Sequence, residues 1–102
     1  MAGFEKRLAC VIDAAGSIVR GYLIEDCRFD GTNEYIITWK VPLRGEAKTN
    51  FAGTIGSATD EDVSPGLITV GLGQEPNQMR VHTFDPGGNP AARSFHIACF
   101  RD

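Results

Sequence analysis

The chain has 102 residues and a mass of 11.0 kDa, the size of one domain spanning residues 1–102. A net charge of −3, with seven Arg and three Lys scattered and no basic run, excludes the electrostatic footprint of a nucleic-acid binder. No apolar run approaches the roughly 18 residues that a membrane-crossing helix needs, and a hydrophobic share of 42% excludes a disordered chain.

Short apolar runs divided by Gly, Asn, Asp and Pro dominate from Glu5 to Phe100, and no segment has the period of an amphipathic helix. The first strand is predicted over Glu5–Asp13. Leu8, Cys10 and Ile12 share one face and Ala9 and Val11 the other, so both faces are apolar and the strand reads as central. Ala14 to Ser17 turn the chain. Ile18–Arg20 reads as a short return, Gly21 as a bend, and Tyr22–Phe29 as a strand with a bulge at Glu25 and Asp26. Asp30-Gly31 then predicts a tight turn, because glycine accepts positive φ without steric penalty.

Glu34–Val41 is the strongest strand, with Tyr35, Ile37, Trp39 and Val41 on one face. Pro42 ends it, having no N–H to give. Leu43–Ala47 reads as a loop and Lys48–Ile55 as a strand with Phe51 and Ile55 inward. The stretch Gly56–Gly66 is the longest irregular segment. Three compact strands follow at Leu67–Leu72, Met79–Phe84 and Phe95–Phe100, separated by turns rich in Pro and Gly. The expected fold is all-β: a small antiparallel β-sandwich or jelly-roll-like domain of about 7–8 strands.

Few residues carry chemistry. Three cysteines, Cys10, Cys27 and Cys99, are an odd count with no metal-ligand spacing, so no metal and no cofactor is expected. Cys10 and Cys99 lie on what would be neighbouring first and last strands, and under oxidation they would bridge if their Cα atoms came within about 7 Å. Asp60, Glu61 and Asp62 lack the order of a calcium loop. Glu25 and Asp26, adjacent on a strand, point to opposite faces and do not form an acid/base pair. Ser57, Ser64 and Ser94 have no nucleophile-elbow context. No catalytic residue is assigned.

Candidate ligand-binding residues are Arg80, His82 and His96, which offer an anion-binding fork and two imidazoles, and the aromatics Tyr22 and Tyr35. The segment Met1 to Arg7 has no apolar core of a secretory signal, so a cytoplasmic protein, or one released as part of a particle, is expected.

Three stretches carry a resemblance: ACVIDAAGSIVRG at Ala9–Gly21, NEYIITWKVPL at Asn33–Leu43, and VHTFDPGGNPAARSFHIACF at Val81–Phe100. Together they are similar to a family of small bacterial β-domains of obscure function, and their strand pattern resembles phage tail-fibre β-modules. That resemblance implies a β-sandwich and no catalytic residue. Tail-fibre modules imply trimers that contact glycans or partner proteins.

Two functions are therefore expected. The favoured one is a non-enzymatic binding or assembly module, a homo-oligomer (a trimer by preference) presenting loops to a glycan or protein partner, with no nucleic acid or membrane involved. The alternative is a small enzyme or ligand carrier with a pocket near His82, His96 and Arg80.

Overall fold

The computed structural model describes residues 7–44, 49–59 and 63–101. Eight strands follow in order: β1 (Arg7–Ile12), β2 (Ile18–Tyr22), β3 (Ile24–Phe29), β4 (Glu34–Trp39), β5 (Thr49–Ile55), β6 (Leu67–Leu72), β7 (Gln78–Phe84) and β8 (Phe95–Arg101). All neighbours pair antiparallel in two four-stranded sheets, ordered β2-β1-β8-β5 and β3-β4-β7-β6. The expected β-sandwich is what forms. Among the described residues there is no helix, and so none long and apolar enough to cross a membrane.

Alternation decides which side chains meet. Leu8, Cys10, Ile12, Phe95, Ile97 and Cys99 line the inner face of the first sheet. Tyr35, Ile37, Trp39, Met79 and Val81 line that of the second. Each fully buried large side chain contributes about 1.5–3 kcal/mol. Leu43, expected in a loop, is only 2% exposed. Its N–H donates to Pro76 O at 2.7 Å, which folds it back over the core beside Trp39. Trp39 is in the core, and its indole N–H has no partner among the described residues.

The bend after β2 falls at Leu23, not at Gly21. Gly21 pairs with Cys10 inside the ladder, where a Cβ would lie 2.5 Å from Ile24 Cγ2. Its bareness serves close packing. Leu23 has a φ of +64°, a left-handed conformation that costs a branched residue about 1–2 kcal/mol. That conformation turns the chain from one sheet into the other between Tyr22 and Ile24. The bulge at Glu25 and Asp26 is present as a register shift between Ile24 and Asp26. Both residues are exposed there.

Three connections share one Asp-led design. Asp13 Oδ1 accepts from Ala15 and Ser17 N–H, Asp30 Oδ1 from Thr32, Asn33 and Glu34, and Asp85 Oδ1 from Gly87 and Asn89. Gly16, Gly31 and Gly88 supply positive φ in these turns. The hydrogen bonds, those to Thr32 first for Asp30 and to Asn89 first for Asp85, hold both carboxyls below the ordinary range.

Strand pairing puts these turns at one end of the sandwich, where Tyr35 ties them. Its ring stacks on Phe29 at 4.6 Å and meets Phe95 edge-on at 4.9 Å. Its hydroxyl donates to Ala14 O at 2.8 Å and accepts from Arg93 N at 3.3 Å. Nearby, Thr83 Oγ1 donates to Ala91 O and Asn33 Nδ2 to Thr83 O. Removing the hydroxyl as Tyr35→Phe leaves these backbone groups without a partner and is expected to cost about 1–2 kcal/mol. Urea unfolding checks this: the midpoint should fall with an unchanged slope, and an unchanged midpoint would contradict the role.

Candidate functional site

The outward residues of the first sheet form a grid that follows from register. One row runs Tyr22, Ala9, Ala98, Ala52 across β2, β1, β8 and β5. The next runs Arg20, Val11, His96, Thr54. Arg7, Phe100 and Asn50 make a third on the other side. With strands about 4.8 Å apart, the three alanines floor a strip about 10 Å long.

Small residues between larger ones leave a trough of about 550 Å³. Ala9, Val11, Ala52, Ala98 and the backbones of Gly21 and Gly53 make it apolar, with Tyr22, Arg20, His96 and Thr54 around it. No carboxylate lines it. Tyr22 stands 54% exposed at one bank, and Phe100, 55% exposed, lies just beyond. Val11 is only 6% exposed although it faces outward, because it sits between Arg20 and His96 in its row. A Cβ on Gly56 would come within 3.2 Å of His96 Cδ2, so glycine there leaves room for the imidazole.

The outer face of the second sheet is different in kind. Glu34 pairs across the strands with His82, and its Oε2 lies 3.1 Å from His82 Nε2 and 3.5 Å from Arg80 Nε. Arg80 thus has a counter-charge on its own face, in a partly exposed pair of the kind that contributes little stability, while its Nε–H has no hydrogen-bond partner among the described residues.

The candidate residues consequently separate. Arg80 and His82 stand together on β7, while His96 stands on β8 in the other sheet and faces the other way. Inner faces of packed sheets are about 10 Å apart, and both groups lie outside that layer. The three do not converge on one pocket. Tyr35 is fully buried and its hydroxyl belongs to the turns, so it is a core residue and not a ligand platform. Tyr22 remains at the surface, beside the trough.

Cys10 and Cys99 are free thiols. β1 and β8 are neighbours as expected, but Cys10 opposes Ile97 and Cys99 opposes Leu8, which makes the two cysteines diagonal. Burial pushes the Cys27 and Cys99 thiols up to about 12 and Cys10 further still, so none is a thiolate nucleophile near neutrality. Among the described residues no group of His, Cys, Asp and Glu could hold a metal ion. Asp60, Glu61 and Asp62 lie outside the described residues. Ser57 Oγ is 2.9 Å from Thr59 Oγ1 and accepts from the Thr59 N–H at 3.1 Å.

Sequence reasoning did not pick out Ala9, Ala52 and Ala98 as a floor. The available signal was β1 and β8 being apolar on both faces, which marks central strands and equally marks an uncovered outer face. No protein-family model, no curated protein and no solved structure matches the chain.

The raised thiols have a pH consequence. Their folded pKa values exceed the unfolded value of about 8.5, so this stabilisation is whole below that pH and is lost as pH rises toward 12. Cys10 and Cys99, both buried, are expected to resist a disulfide reagent at pH 8 in the folded protein and to react on unfolding in urea, with half-buried Cys27 the first of the three to react. Rapid modification of Cys10 or Cys99 in the folded protein would contradict their burial.

Proposed function

We propose that this chain is a non-enzymatic binding module whose working surface is the outer face of β2-β1-β8-β5. The observation that carries the reading is the alanine-floored trough of about 550 Å³, apolar along its length and banked by exposed Tyr22. A concave apolar site with a few polar groups around it is the usual form of a small-ligand site. A glycan needs hydrogen-bonding groups all around an aromatic, and here alanines occupy most of those positions, so an apolar body fits better. The separation of His96 from His82 and Arg80, and the burial of Cys10 and Cys99, support binding over catalysis.

The test is binding of a neutral apolar fluorophore, N-phenyl-1-naphthylamine, to the folded protein. Saturable binding at one site is expected, together with its loss in Ala98→Trp, where the indole fills the trough without touching the inner core. Binding that survives Ala98→Trp would move the site elsewhere.

A second reading, self-assembly, is favoured by β2. It is an edge strand of which every residue is exposed, with Ile18 and Val19 each 41% exposed. Edges of this kind pair with other chains unless blunted by charge. Two β2 edges meeting about a two-fold axis close as a dimer and leave both troughs open. Light scattering on a sizing column should then give a dimer that Val19→Lys dissociates. A monomer at every concentration would remove this reading.

A further inference from the structure

We infer that the trough takes a small amphipathic anion: a flat apolar body lying on the alanine row, with its anionic group at Arg20. The inference rests on the binding reading above and adds the charge of the ligand.

The argument is one of charge placed without compensation. The chain is acidic overall, at −3. Yet the residues lining the trough include Arg20 and His96 and no carboxylate. The second sheet shows what compensation looks like in this protein: there Arg80 and His82 both face Glu34 Oε2. Arg20 is exposed at mid-strand on β2, and among the described residues it makes no ion pair. A planar guanidinium left open beside an apolar strip suits a carboxylate, sulfonate or phosphate that it can grip with two N–H groups.

Register then sets the shape of the occupant. Arg20 and Val11 lie one row from the alanines, two residues along the strands, or about 7 Å. The anionic group therefore sits to one side of the apolar body and not at the far end of a long chain. The body covers Ala9, Ala98 and Ala52, with the Tyr22 ring at one end of the row. Thr54 offers a hydroxyl at the opposite bank. A second copy of this chain is a poorer occupant, because it would bring another Arg20 and His96 to a face that already holds both.

The experiment uses two matched fluorophores on the intact protein: 8-anilinonaphthalene-1-sulfonate and its neutral parent N-phenyl-1-naphthylamine. The sulfonate is expected to bind at one site, about tenfold more tightly than the parent, the size of one hydrogen-bonded charge contact. Arg20→Gln should erase that advantage, bringing the ratio of the two affinities, both measured on the variant, to about one. Arg20→Lys should restore part of it, and added salt should reduce it in the wild type and in Arg20→Lys but have nothing to reduce in Arg20→Gln. Each variant is checked for the wild-type urea transition, because partly unfolded protein also binds the sulfonate. Equal affinity for the two probes, or an advantage that survives Arg20→Gln, overturns the anion inference and leaves the binding face standing. Failure of both probes to saturate the folded wild type removes the binding face and the inference with it.

Discussion

The sandwich depends on the way Tyr35 joins packing to chain direction. Its ring lies between Phe29 of its own sheet and Phe95 of the facing one. Its hydroxyl reaches past the core to the carbonyl of Ala14 and the amide of Arg93. One side chain thereby sets the distance between sheets, the position of the β1–β2 turn and the point where β8 begins. Since β1 and β8 are central strands, the register of their whole sheet follows from where those two segments are held. The rows on the outer face inherit that register.

The two outer faces use the same alternation to opposite ends. On the second sheet, Glu34 gathers Arg80 and His82 into a small charge network, and the face resembles an ordinary solvated surface. On the first, positions that could carry solvated charge hold Ala9, Val11, Ala52 and Ala98, and Arg20 and His96 have no acid among them. Both faces satisfy the folding requirement equally well, because neither belongs to the core. The difference between them is therefore free to reflect function.

Much of the fold was legible because period two is strongly written in these strands. Tyr35, Ile37 and Trp39, then Met79 and Val81, then Phe95, Ile97 and Cys99, all face inward as their alternation implies. Leu67–Leu72 begins and ends where expected. Legibility failed where the third dimension decides. Gly21 looked like a bend because glycine bends chains, yet here it makes room for Ile24. Leu43 looked like loop, and only the Pro76 carbonyl turns it into a core residue. The sheet assignment of β7 and β8 could not be read from two similar strands in succession. That assignment alone separates His82 from His96. The alanine floor was invisible for a related reason: Ala9, Ala52 and Ala98 come from three strands, and only pairing brings them into line.

The passage through Leu23 gives the trough an asymmetry of mechanics. Tyr22 on one bank is separated by a single residue from Ile24, which packs against the core from the opposite sheet. The Leu23 carbonyl is itself held by the Lys40 amide at 2.8 Å. That bank is thus riveted to the far half of the molecule by covalent bonds. The other bank, at Ala52 and Thr54, belongs to β5, an edge strand held to the facing sheet by packing: a Cβ on Gly53 would lie 2.9 Å from Val70 Cγ2 and 3.1 Å from Ile68 Cδ1 of β6. One bank is thus held to the facing sheet by the chain itself and the other by bare backbone packed on β6, so an occupant broader than the strip meets resistance on both sides.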